Sequence, residues 1–320
     1  MALPRVLSVI GAGQMGIGIA LVASLRAKIP TVLLYDRDPS QITKGLEFMD
    51  KLLAKDVSKG KTSEDDAKAA RGRIISITSS SASSSTSNND EFGWARELGE
   101  RGSDMVVEAA SERLSIKEGI FRALAKNLSK DAVLASNTSS ISITKLAGAA
   151  VEGLGSTISK ANEEGKSCAG RVVGVHFFNP VPVMKLCEVI PGLQTSEVTL
   201  ERAKAFAVAC GKEVSTSKDV PGFVSNALLM PFLNEAIMCL ESGTATRDDI
   251  DKTLRLGMGH PMGPLQLADF IGLDTCLAIQ ETLYEGTRDS KYRPSVLLGR
   301  MVDAGWLGKK SGVVEFISFA

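Results

Sequence analysis

Short apolar runs alternate with helix-spaced patterns through the first two thirds of the chain. Residues 6–10, 31–35, 74–78, 105–108, 133–136 and 172–176 are apolar-rich and bounded by polar positions, which predicts strands buried on both faces. Between several of them, as in 17–26 and 115–126, apolar residues recur every three or four positions and predict helices. The alternation predicts an α/β fold, a Rossmann-like doubly wound sheet with helices on both faces. Two stretches interrupt it. Residues 79–89 are serine-rich and read as a solvated loop. Residues 149–170 are small, polar and charged, and read as a passive surface insertion.

The pattern changes after Val220-Pro221-Gly222. Residues 224–241 are apolar nearly all round, predicting a helix buried on most sides, kinked at Pro231 and ended at Gly243. Further helices are predicted over 247–256, 265–271, 275–284 and 295–303. The chain thus divides into a sheet domain, 1–218, and a smaller all-helical C-terminal domain, 219–320. So long an apolar helix in so small a domain predicts that a second copy covers part of it, giving a homodimer.

Charge and cysteine content remove several classes. Lysine plus arginine and aspartate plus glutamate number 37 each. A zero balance offers no field for nucleic acid or a membrane surface. No apolar run reaches the roughly 18 residues of a membrane span. Cys168, Cys187, Cys210, Cys239 and Cys276 are scattered, with no Cys-x-x-Cys pair. They read as reduced thiols of an intracellular protein, without a metal site. The cytoplasm is the favoured compartment and the mitochondrial matrix the alternative.

The chemistry begins at the first strand. Gly11-Ala12-Gly13-Gln14-Met15-Gly16 follows it directly and opens a helix, and Asp36 closes the second strand 25 residues beyond Gly11. In this strand–loop–helix–strand–acid setting, Gly11 permits the tight turn, Gly13 lets backbone approach a pyrophosphate, and Gly16 lets helix and strand pack closely. The helix N-terminus offers unpaired N–H groups to the phosphates. Asp36 accepts from the adenosine ribose hydroxyls and repels a 2′-phosphate, which favours NAD over NADP, although Arg37 stands beside it. Only two histidines occur. His176 ends a predicted strand, the edge of an open α/β sheet where ligands bind. Imidazole titrates near working pH, as a general base for a hydroxyl proton must. Glu188, on the next apolar stretch 183–190, would fix the tautomer of that ring and hold it. His260 lies in Gly-Met-Gly-His-Pro between helices and is not favoured as the base.

These residues carry a resemblance. Gly11 to Ala20, Ser136-Asn137-Thr138-Ser139-Ser140, His176-Phe177-Phe178-Asn179-Pro180, Pro221-Gly222-Phe223 with Asn226, Gly263-Pro264 and Gly272-Leu273-Asp274 occur in the order of the L-3-hydroxyacyl-CoA dehydrogenase family. The chain resembles its stand-alone, short-chain branch, the 3-hydroxybutyryl-CoA dehydrogenases, over nearly its whole length. The resemblance implies NAD as cofactor and an acyl-CoA as substrate. It implies His176 as the base that takes the 3-hydroxyl proton, Glu188 as its partner, and Ser139 and Asn226 as donors to the substrate oxygen. Asn179 would support the same crevice. Glu112 and Lys117 would line the nicotinamide side, and Lys310 would reach the cofactor from the tail. Among Lys51, Lys55, Lys59 and Lys61, the candidates for the CoA phosphates are Lys55 and Lys59. Two departures stand out. The family's Gly-Phe-Tyr ending is replaced here by residues 313–320 without tyrosine, and Ala227 follows Asn226 where arginine is common.

Two other readings stay open: an NAD-dependent dehydrogenase of a free polar hydroxy acid such as L-gulonate, and a catalytically silent NAD-binding protein like the lens crystallins of this fold. The lysine cluster favours CoA over the first. The intact set of His176, Glu188, Ser139 and Asn226 speaks against the second.

Overall fold

A computed structural model describes residues 2–77 and 92–311, with the side chains of Lys310 and Ser311 excepted. The serine-rich stretch 79–89 and the tail 312–320 lie outside the described residues. The chain forms two compact units that meet between Asp219 and Val220.

The first unit is built on an eight-stranded sheet among the described residues. Its strands are β1 (Val6–Ile10), β2 (Thr31–Tyr35), β3 (Ile74–Ile77), β4 (Met105–Glu108), β5 (Val133–Ser136), β6 (Val172–Phe177), β7 (Leu186–Pro191) and β8 (Glu213–Thr216). Their order is β3-β2-β1-β4-β5-β6-β7-β8. Neighbours from β3 to β6 pair in parallel, as do β7 and β8, whereas β6 and β7 are antiparallel. The apolar runs become strands because helices cover both faces: β4, β5 and β6 are buried at every position. The chain order reverses between β1 and β4, so the switch point opens at Ile10 and Glu108, beside the glycine loop.

Three helices matter most for the site: α1 (Gln14–Leu25), α2 (Pro39–Ser58) and, after α3 (Glu64–Gly72) and α4 (Gly93–Glu100), α5 (Leu114–Asn127). Helix α1 is buried from Gly16 through Ser24. Gly45 lets α2 press on it: a Cβ there would lie 2.5 Å from Ile17 Cδ1 and 2.8 Å from the Ala12 carbonyl oxygen.

The stretch 149–170, expected as a passive loop, is largely helical. Helix α6 (Ile143–Gly153) runs into it, and α7 (Glu163–Gly170) fills its second half. The small residues are packing devices rather than loop signals. A Cβ on Gly153 would overlap the Arg122 carbonyl of α5, and one on Gly165 would lie 2.8 Å from Ala161 Cβ. Asn162 caps α7, its side chain accepting from Gly165 N at 2.9 Å. After α8 (Glu197–Ala209), β8 closes the sheet edge. That half-exposed strand was not predicted.

The second unit is helical: α9 (Ser225–Glu241), α10 (Arg247–Lys252), which continues as a π-helical turn over Thr253–Gly257, α11 (Pro264–Ile271), α12 (Leu273–Thr287) and α13 (Val296–Asp303). Its core joins Leu233, Ile237, Leu265, Leu273, Leu283 and Leu298. Helix α9 continues through Pro231, and Gly243, at φ +68°, follows its cap. The helix is not buried on most sides in one chain. Asn226, Met230, Leu233, Ile237 and Leu240 are covered, while Leu228 is 70 % exposed.

Candidate active site

The glycine loop has the form a pyrophosphate needs. Gly11, at φ +102°, has no room for a Cβ, which would meet the Ala109 carbonyl oxygen at 2.5 Å, and a Cβ on Gly16 would overlap the Gly11 carbonyl. At Gly13 nothing lies within 4 Å of a Cβ position, so the backbone is open on the ligand side. Gln14 is exposed at the start of α1 and Met15 half-buried behind it. A cavity of about 320 Å³ opens here, lined by Ala12, Gly13, Gln14, Ile17 and by Gln41, Lys44 and Phe48 of α2. Asp36 has a second task in this frame. Its Oδ2 accepts from Ala12 N at 2.7 Å and its Oδ1 from Asp38 N at 2.9 Å, so the acid expected at the ribose also holds the loop. These residues fit an adenine dinucleotide.

At the opposite side of the switch point, β4 ends in Glu108, which is fully buried. Its Oε1 accepts from Ala110 N and from Lys117 Nζ, both at 2.7 Å, and its Oε2 from Ser136 Oγ at 2.6 Å. Lys117, expected at the cofactor, is 1 % exposed. Its ammonium is enclosed by Glu108, the Ala110 carbonyl at 3.3 Å and Glu112 at 3.2 Å. A lysine is buried only where anions and carbonyls replace its water, and here both do. Lys117 therefore presents no exposed charge of its own and contacts Glu112 instead.

Glu112 gathers the loop after β5. Thr138 Oγ1 donates to it, as do Ser139 N at 2.9 Å and, more weakly, Ser139 Oγ at 3.4 Å and Ser140 Oγ at 3.3 Å. Burial pushes the Glu112 carboxyl up, but the Lys117 ammonium and the donors from Thr138 and Ser139 outweigh it and hold the group below the ordinary carboxylate value. The structure thus brings Glu112, Lys117 and Ser139 together. Asn137 adds a link that sequence reasoning left unassigned: its Oδ1 accepts from Phe177 N at 2.9 Å, tying the serine loop to the strand that carries His176.

His176 and Glu188 are paired by strand register. They lie directly opposite each other on β6 and β7, and His176 Nδ1 meets Glu188 Oε2 at 2.8 Å. Both are buried, at 8 % and 1 % exposure. A carboxylate acceptor puts the proton on Nδ1 and leaves the lone pair on Nε2, the form a base requires. Phe178 tilts against the imidazole, ring centroids 4.7 Å apart. Asn179 is exposed at the turn that follows.

Lys55 and Lys59 are exposed at the C-terminal end of α2. Asn226 belongs to the second unit, buried in the first turn of α9, where Val224 and not Asn226 holds the cap position. His260 sits beside Phe232, ring centroids 5.3 Å apart. The side chain of Lys310 lies outside the described residues.

A doubly wound sheet that sets a dinucleotide loop at its switch point and a histidine–carboxylate pair at its strand ends defines the class of nicotinamide-dependent dehydrogenases. Comparison with known proteins narrows the class. The profile of the 3-hydroxyacyl-CoA dehydrogenase NAD binding domain matches residues 6–89 and 95–220, and that of the 3-hydroxyacyl-CoA dehydrogenase C-terminal domain matches 222–315. The chain belongs to the 3-hydroxyacyl-CoA dehydrogenase family. It is 44 % identical over 304 residues to a probable 3-hydroxybutyryl-CoA dehydrogenase of Bacillus subtilis, covering 95 % of this chain and 94 % of the relative. It is 37 % identical over 306 residues to the human mitochondrial hydroxyacyl-coenzyme A dehydrogenase, covering 95 % and 88 %. The crystal structure of (S)-3-hydroxybutyryl-CoA dehydrogenase from Ralstonia eutropha superposes with a TM-score of 0.83 at 39 % identity, over 97 % of this chain and 98 % of that one.

Proposed function

We propose that the protein interconverts short-chain (3S)-3-hydroxyacyl-CoA and 3-oxoacyl-CoA with NAD. The observation that carries the reading is the buried 2.8 Å contact of His176 Nδ1 with Glu188 at the edge of a dinucleotide-binding sheet. NAD, when bound, supplies the acceptor for the hydride that leaves C3. Gly11 and Gly16 shape the loop, Gly13, Gln14 and Met15 would hold its pyrophosphate by backbone N–H groups, and Asp36 would take the adenosine ribose. Glu112, set by Lys117, lines the nicotinamide side, with Asn179 and Lys310 as further contacts.

His176 Nε2 removes the proton of the 3-hydroxyl, and Glu188 stabilises the imidazolium that results. Ser139 and Asn226 donate to the substrate oxygen and position C3. Lys55 and Lys59 meet the phosphates of CoA. The names of the relatives support a CoA ester over a free hydroxy acid and a four-carbon acyl group over a long one.

Leu228, Leu256, Met258 and Val296 are each about 70 % exposed on the helical unit, which supports a homodimer formed through that unit. Among the described residues no helix is long and apolar enough to cross a membrane. Four of the five cysteines are buried in the fold, which supports an intracellular setting, in the cytoplasm or the mitochondrial matrix.

The test is oxidation of NADH with acetoacetyl-CoA, beside free acetoacetate, an NADPH control, and L-gulonate with NAD. Turnover of the CoA ester with NADH is expected. Activity on L-gulonate alone would move the assignment to a polar-acid dehydrogenase. Silence on every substrate with NADH still bound would leave a nucleotide-binding protein without catalysis.

A further inference from the structure

The two halves of the His176–Glu188 pair flank one connection, residues 178–185, and something must hold that connection in place. Backbone bonds from Val183 N and Met184 N to the Pro180 carbonyl, at 2.9 and 3.0 Å, close its turn. They leave the carbonyls of Val181 and Met184 to be met from outside. Lys212 meets both. Its Nζ donates to the Val181 carbonyl and, at 2.7 Å, to the Met184 carbonyl. The residue is 6 % exposed. No carboxylate lies within ion-pair distance of it among the described residues; Cys187, Cys210 and Arg26 are the titratable groups around it. A buried ammonium without an anion is costly unless carbonyls replace its water, so the position calls for a long side chain that carries donors.

Lys212 stands immediately before β8, the neighbour of the strand that carries Glu188, and Glu213 N donates to the Lys185 carbonyl at 2.8 Å. From the other side the connection rests on α1. A Cβ on Gly18 would lie 2.7 Å from Val181 Cβ, so Val181 is seated where only glycine leaves room.

The geometry points to Lys212 as a positioning residue for the reaction: its two carbonyl bonds fix the 178–185 connection and thereby the register that sets Glu188 against His176. This inference rests on the base assignment above. Lys212 touches no reacting atom and acts through the hairpin alone. Displacement of a base by an ångström is enough to lower turnover about 100-fold.

The test compares Lys212→Met, which keeps the stem and removes the donors, with Lys212→Arg, which keeps them. Steady-state kinetics with acetoacetyl-CoA, NADH affinity by fluorescence, and the low-field proton NMR signal of an imidazole N–H held by a carboxylate are read together. With only two histidines in the chain, the signal is assigned by its loss in His176→Gln. Lys212→Met is expected to lower kcat about 10- to 100-fold, to leave KM and NADH affinity within about threefold, and to broaden or abolish the signal. Lys212→Arg should restore most of both.

Unchanged kcat in Lys212→Met overturns the proposal. So does loss of kcat with an intact signal, or a parallel loss of kcat, NADH affinity and thermal stability. If Lys212→Met does not fold, Gly18→Ala presses on Val181 from the helix side, and the same readouts decide. Glu188→Gln separates the two readings. If it keeps turnover and signal, the base assignment fails and this inference with it. If it loses both while Lys212→Met keeps both, only the role of Lys212 fails.

Discussion

Ser139 donates its backbone N–H to Glu112 at 2.9 Å, so the serine expected to hold the substrate oxygen is itself held by a carboxylate expected at the cofactor. The groups expected on the two sides of the reaction share one hydrogen-bonded hub, with Lys117 behind it at 3.2 Å. Glu112→Gln should lower kcat/KM for acetoacetyl-CoA and weaken NADH binding together. Loss of one without the other would show that the hub does not couple them.

The same carboxylate predicts a pH dependence. Its folded-state value lies below the ordinary 4.5, so it contributes stability that is fully present above 4.5 and is lost as pH falls through the folded value. The difference in melting temperature between the natural protein and Glu112→Gln should be constant from neutral pH down to about 4.5 and shrink as the pH falls further. A difference that grows on acidification would contradict the sign.

His176→Gln should leave NADH binding within a few-fold and reduce turnover by about 10²- to 10⁴-fold. Glu188→Gln keeps the shape of the pair but no longer enforces the proton on Nδ1, and should reduce turnover by about 10²-fold or more. Steady-state rates with acetoacetyl-CoA check both, and near-natural turnover in either variant would remove the base assignment.

Asp36→Asn retains an acceptor for Ala12 N and removes the charge proposed to face the ribose. The preference for NADH over NADPH should fall by about tenfold or more, roughly 1.4 kcal/mol. An unchanged ratio of kcat/KM for the two cofactors would mean that discrimination lies elsewhere.

Glu108 is the largest stability risk in the site, because Lys117 has no access to water. Glu108→Leu leaves the ammonium with Glu112 as its anion and should destabilise the fold by about 3 to 5 kcal/mol. Urea unfolding measures this, and a change under about 1 kcal/mol would mean that the pair contributes little net stability.

Much of this was legible in the residue order because it is written in local rules. Each apolar run from 6–10 to 172–176 became a strand, and the glycine loop with Asp36 needed only its flanking elements. The pairing of His176 with Glu188 was readable because adjacent apolar stretches formed neighbouring strands. What escaped notice depends on distant packing. Residues 149–170 read as loop because close helix contact and loop composition both use small residues, as Gly153 and Gly165 show. Strand β8 lacks a buried face and so gave no apolar signal. Lys117 was expected at the cofactor itself because nothing local reveals that Glu108 reaches it across nine positions. Glu108 itself, an acid ending an otherwise apolar strand, was the one signal of that network, and Lys212 gave none.

The reversal of strand direction between β6 and β7 has a consequence for assembly. Parallel neighbours need a crossover of a dozen or more residues, usually with a helix, before partner positions can meet. His176 and Glu188 are only 12 positions apart, and one turn separates their strands. A closure of that length takes on the order of 100 ns and adds little loop entropy. The His176–Glu188 pair is therefore a contact of low contact order inside a fold whose other strand pairings are mostly long-range. It travels as one uninterrupted piece of chain, indifferent to insertions elsewhere in the sheet.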